Sequence, residues 1–264
     1  MIDNMRKHLQ FLLAACLLAS GAYSVHAQNR ADRQNLENED SFSMIILGDP
    51  QGYTKYDINQ PIFELCTAWI ADNVEHLNIK AVLCTGDMVE QNENITMNRK
   101  MLNQTSREMW ESASRSMARL DGKVPYIISG GNHDYGYQKS ENGRTKLPEY
   151  FPFERNSCWR DCLVADFPNR NGDISMENAA FEFHDKNWGD ILVITTEFAP
   201  RPDVLDWARD LAGSEKFRGH KVIAMTEIGF GRKVLQVFED NNLSFEHMPS
   251  GVDAMTVFVH QSEF

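Results

Sequence analysis

The chain has 264 residues, 42% of them apolar, and a formal charge of −12. That length suits one large domain or two small ones with an ample core. The acidic balance excludes a polybasic nucleic-acid or anionic-membrane surface as its main business, while leaving room for a local basic pocket.

The predicted elements begin with an export signal over residues 1–27. Arg6 and Lys7 give a positive start, Leu9 to Tyr23 an apolar run, and Val25-His26-Ala27 a small-residue cleavage site before Gln28. The run is short for a retained membrane anchor. Leu13-Ala14-Ala15-Cys16 resembles a lipoprotein cleavage box, but apolar Leu17-Leu18-Ala19 follows where such a box turns polar. The expectation is an exported protein, periplasmic or extracellular, with no transmembrane segment after signal removal. Residues 28–41 read as a polar lead-in to a domain spanning 42–264.

Residues 42–47 are the first predicted strand. Asn59 and Pro61 start a helix running to about Asn78, with Ile62, Leu65, Cys66, Trp69, Ile70 and Val74 on its inward face. A strand follows at 81–85. A second helix spans 105–120 with Met109, Trp110, Ala113, Met117 and Leu120 on one side, and a third strand lies at 126–129. The β-α-β-α-β order predicts an α/β sheet with right-handed crossovers. Residues 135–178 break this rhythm with Pro148, Pro152, Pro168 and many aromatics, and read as a lid-like insertion. Strands at 180–183 and 191–196 pair across a turn, a helix runs from Pro202 to about Leu211, and 221–226 is a further strand. Cys66 and Cys84 read as core; Cys158 and Cys162 fit either a small disulfide or two free thiols.

Three segments carry the chemistry: Gly48-Asp49-Pro50-Gln51, Gly86-Asp87-Met88-Val89-Glu90 and Gly130-Gly131-Asn132-His133-Asp134. Singly they have plain readings as a turn, a strand-ending dipeptide and a capped turn. Each, however, follows directly on a predicted strand, and successive strand ends lie side by side along the edge where α/β sheets bind ligands. Oxygen donors converging there with a histidine point to divalent cations, and cations to hydrolysis. Asp87 suits a shared position because its carboxylate has two oxygens, whereas Asn132 and Gln51 add donors without charge.

On these motifs the chain resembles the calcineurin-like metallophosphoesterase superfamily, in its secreted bacterial subtype with Asp-x-Gln in the first motif. The resemblance implies an α/β/β/α sandwich with two divalent metal ions (Mn, Fe or Zn) at the strand ends. It implies Asp49 and Gln51 on one metal, Asp87 bridging and Asn132 on the second. It places His133 near the leaving oxygen, oriented by Glu90 or Asp134, and a metal-bridging hydroxide as the attacking group on a small phosphorylated substrate, a phosphate mono- or diester. Gln91-Asn92 stands where protein phosphatases carry Arg-Gly, and Glu90 where purple acid phosphatases carry a tyrosine, so neither type is expected. Tyr135, Tyr137, Tyr150, Phe151 and Trp159 are candidates to stack a base or sugar, or to be core.

The pattern departs after residue 226. Glu227 stands where the family has a lone histidine, and Gly-His-x-His is absent; Gly219-His220 precedes a strand, and His260 is one late candidate. Residues 229–264 are atypical, so the second sheet is expected to be incomplete and the chain truncated, frame-shifted or internally deleted. The competing readings are an inactive homologue or non-catalytic binding protein on the same fold, and a carbohydrate- or peptide-binding surface on 135–178.

Overall fold

A computed structural model describes residues 35–36, 38–93, 102–137 and 140–227, and the backbone of 243–247 and 255–261. The expected signal segment 1–27 and residues 28–34 and 37 of the lead-in fall outside these residues. Three short apolar runs form a parallel sheet in the order β1-β2-β3: Ser43–Leu47 (β1), Ile79–Cys84 (β2) and Tyr126–Ile128 (β3). The register sets Leu47 beside Cys84 and Cys84 beside Ile128. The three strands therefore end in one row, and the residues that follow emerge together.

Two helices serve as crossovers. Ser106–Met117 (α2) starts at Thr105, whose side chain accepts from the Glu108 amide while Glu108 reaches back to the Thr105 amide. Its predicted face, Met109, Trp110, Ala113, Met117 and Leu120, is fully buried. Gln60–Asn73 (α1) differs from expectation. Phe63, Thr67, Ile70 and Asn73 face inward, while Ile62, Leu65 and Trp69 are exposed. Asn59 does not cap it, because its side-chain amide donates to the Gly52 carbonyl instead.

The second sheet has the order β4-β5-β6-β7-β9-β8. It comprises Leu163–Asp166 (β4), Ala179–Asp185 (β5), Gly189–Thr195 (β6), Lys221–Thr226 (β7), Leu243–His247 (β8) and Met255–Gln261 (β9). Among the described residues this sheet, expected to be incomplete, has six strands. Between β6 and β7, Pro202–Ala212 (α3) covers one face, where Ala208, Ala212 and Phe217 pack on Ala180, Leu192, Ile194 and Val222. β6 and β7 run parallel with Thr195 beside Met225, so they too end in a row.

Residues 140–178, the larger part of the expected lid-like insertion, pack against β3 and α2. Leu147, Phe151 and Trp159 are buried. The Trp159 indole donates to the Tyr126 carbonyl at 2.7 Å, and Tyr150 stacks on Trp110 at 5.5 Å between centroids. Cys158 and Cys162 are free thiols, as are Cys66 and Cys84.

Candidate metal site

The sheet edge is built from close backbone approaches between loops. The Gln51 amide donates to the Asp87 carbonyl at 2.8 Å, and the Thr54 hydroxyl to the Met88 carbonyl at 3.0 Å. Those bonds fix the first loop to the second. Thr85 donates to Asp49 Oδ1 at 3.0 Å and so aims that carboxylate along the edge. Gly86 and Asp87 both have positive φ, +112° and +49°. A Cβ on Gly86 would lie 2.7 Å from the Gly131 nitrogen, so only glycine lets the second and third loops meet.

Around that contact the polar groups converge. The His133 amide donates to Asp87 Oδ1 at 2.8 Å, and the Asn132 amide to Glu227 Oε2 at 3.0 Å. A Cβ on Gly131 would collide with an oxygen of each of those carboxylates, which locates Asp87 and Glu227 side by side against one glycine. Asp134 accepts from the Gly131 amide at 3.0 Å and from Val89 at 3.2 Å. Its role here is a buried brace between loops. The expected contact of His133 with an orienting carboxylate is not made. His133 Nδ1 lies 2.7 Å from the Glu90 carbonyl oxygen, and the Glu90 carboxylate pairs with Lys55 at 2.8 Å. A carbonyl only accepts, so Nδ1 carries the proton and Nε2 is the ring nitrogen turned to chemistry.

Electrostatics mark the site as short of positive charge. Burial, then the repulsion of Asp87 and Asp134, pushes the Glu227 carboxyl up to about 9. Burial likewise lifts Asp87 to about 6 against the His133 amide bond, and holds Asp134 well above the usual range. Burial also drives the Cys84 thiol to about 12, which removes it as a nucleophile. Gln51 Oε1 is buried without a hydrogen-bond partner. Mutually repelling carboxylates with an orphaned amide oxygen fit a hard divalent cation. Among the described residues no three His, Cys, Asp or Glu side chains come together at coordinating distance, so amide oxygens are needed to complete a shell.

The family model for calcineurin-like phosphoesterases matches residues 42–259, the whole two-sheet body. The chain belongs to the calcineurin-like phosphoesterase family. It is also 35% identical over 119 residues, 44% of this chain, to the uncharacterized protein YvnB of Bacillus subtilis strain 168. A 43-residue stretch, 16% of the chain, is 46% identical to aspartokinase 3 of the same organism. The matched stretches span only 8% and 10% of those two relatives.

Within this calcineurin-like phosphoesterase the loop ends bring together Asp49, Gln51, Asp87, Asn132, His133 and Asp134. His220 lies elsewhere, buried with Nε2 2.8 Å from Glu182. His260 sits on β9 opposite Ser244, and its side chain lies outside the described residues. The sequence reading left Glu227 as one option among two; its signal was its place directly after β7, in the row of strand ends. Of the aromatic candidates, Tyr135, Phe151 and Trp159 are buried and Tyr137 is exposed.

Proposed function

We propose that the chain is a metal-dependent phosphoric ester hydrolase acting on small phosphate mono- or diesters. The observation that supports it best is the meeting of Asp87, Asn132 and Glu227 around Gly131, next to Asp49 and Gln51, at one family-specific sheet edge. Asp49, Gln51, Asp87 and Asn132 would hold the divalent ions. Those ions supply charge for the phosphoryl oxygens and activate water near neutral pH.

The chain's own groups do the rest. Asp87 is fixed by the His133 amide, so its carboxylate does not swing away from the substrate position. The Glu90 carbonyl holds His133 Nδ1–H, so Nε2 protonates the departing ester oxygen when the ring carries a second proton there. Lys55 occupies the Glu90 carboxylate and keeps that negative charge away from an anionic substrate.

Turnover of p-nitrophenyl phosphate and bis(p-nitrophenyl) phosphate with added Mn2+ tests the reading. Activity abolished by EDTA and by Asp87→Ala supports it. Metal binding with no turnover of either ester favours the non-catalytic binding protein. Export belongs to the same proposal, on the strength of the apolar run after Arg6 and Lys7. A secreted product starting at Gln28 by mass supports that part, and one retaining residues 1–27 refutes it.

A further inference from the structure

The family reading leaves the position after β7 without its usual imidazole. We propose that Glu227 fills it as a metal ligand, and that a carboxylate in place of the imidazole shifts the centre's preference toward Mn2+, Mg2+ or Ca2+ relative to Zn2+ or Fe2+. This rests on the hydrolase reading above.

Placement comes first. Glu227 follows β7 directly and is buried, with Oε2 accepting from the Asn132 amide at 3.0 Å. Its main chain is also held, since its carbonyl accepts from the Ala199 amide at 3.4 Å. The carboxylate is thereby set beside that of Asp87 against Gly131, at the loop that supplies Asn132.

Donor chemistry comes second. Asp134 is spent on two main-chain amides, and Lys55 on Glu90. Among the described residues the donors gathered at this edge are chiefly oxygen: the carboxylates of Asp49, Asp87 and Glu227 and the amides of Gln51 and Asn132, with Gln51 Oε1 buried and unpartnered. His133 Nδ1 lies on the Glu90 carbonyl, and His184 and His220 pair with Asp190 and Glu182. Carboxylate and carbonyl oxygens suit Mg2+, Mn2+ and Ca2+, whereas imidazole favours Zn2+ and iron.

Calorimetric titration of the full chain with Mn2+ and with Zn2+ tests this, in wild type, Glu227→Gln and Glu227→His. Glu227→Gln is expected to weaken Mn2+ binding at least tenfold. Glu227→His is expected to move the Zn2+:Mn2+ affinity ratio at least tenfold toward Zn2+. Spin-echo EPR of bound Mn2+ should show one more directly bound imidazole nitrogen in Glu227→His than in wild type. The same imidazole coupling in wild type and Glu227→His, or Mn2+ affinity of Glu227→Gln within twofold of wild type, overturns the proposal. If Asp87→Ala abolishes both metal binding and turnover while Glu227→Gln changes neither, only this inference fails. If Mn2+ binds through Glu227 and no ester is hydrolysed, only the hydrolase reading fails.

Discussion

His133 and Glu90 show how a residue's neighbours redistribute its work. By sequence, Glu90 or Asp134 is the acid that orients His133. In the fold the Glu90 carbonyl does so, and the Glu90 carboxylate is given to Lys55. Glu90→Gln is therefore expected to lower kcat by no more than about fivefold, the range of a partly exposed ion pair. His133→Ala is expected to lower kcat about 10²–10⁴-fold while metal stays bound. Steady-state kinetics with metal analysis on both variants checks this. Gly131 gives the opposite contrast, since a methyl group there strikes both Asp87 and Glu227. Gly131→Ala should weaken Mn2+ binding at least as much as losing one ligand does, as isothermal titration would show. Motif residues were legible because each is chemically distinctive and stands at a strand end. Glu227 was legible only as one option beside His260, because one acid after a strand looks like any solvated end residue until the Asn132 amide is found on it.

At the scale of elements, strands and α2 were readable from apolar runs and from a complete capping box. The inward face of α1 was not, because the helix is apolar nearly all round and periodicity has two solutions there. The structure selects Phe63 and Ile70 and leaves Leu65 and Trp69 in solvent. Phe63→Ala is expected to cost about 3–5 kcal/mol, and Leu65→Ala within about 0.5 kcal/mol, by chemical denaturation. The flank at 140–178 hid its logic for a different reason: its elements are short and its contacts distant in sequence. One of them is Glu177, buried and accepting from Asn169, Tyr135 and Ser175. Burial raises its carboxyl above the ordinary range. The folded chain then holds a proton there that the unfolded chain releases near 4.5. Stability falls as pH rises above that point, and Glu177→Gln removes the effect. The stability difference, wild type minus Glu177→Gln, should therefore decline from pH 4.5 upward in parallel urea titrations.

For the molecule as a whole, two sheets bring loop ends from β1, β2, β3 and β7 to one edge that crowds carboxylates together. Burial first and the charge of Asp87 next raise the pKa of Asp134 and Glu227, while burial raises Asp87 against its His133 amide bond, with Asp49 and Glu90 adding to the rise. Removing one charge should relieve the metal-free protein. Asp87→Asn is the suitable change, for the asparagine oxygen still accepts from the His133 amide and asparagine tolerates the positive φ of this position. In EDTA the variant is expected to be more stable than wild type by about 1–2 kcal/mol, since each pKa unit of mutual repulsion amounts to about 1.4 kcal/mol. At about 2–4 °C of Tm per kcal/mol in a chain of this size, calorimetry resolves the gain. With excess Mn2+ the order should reverse, because wild type gains stability from binding and the variant gains little. A metal-free Asp87→Asn protein that melts below wild type would show that this carboxylate stabilises the fold by itself, and that the edge is an ordinary hydrogen-bonded junction.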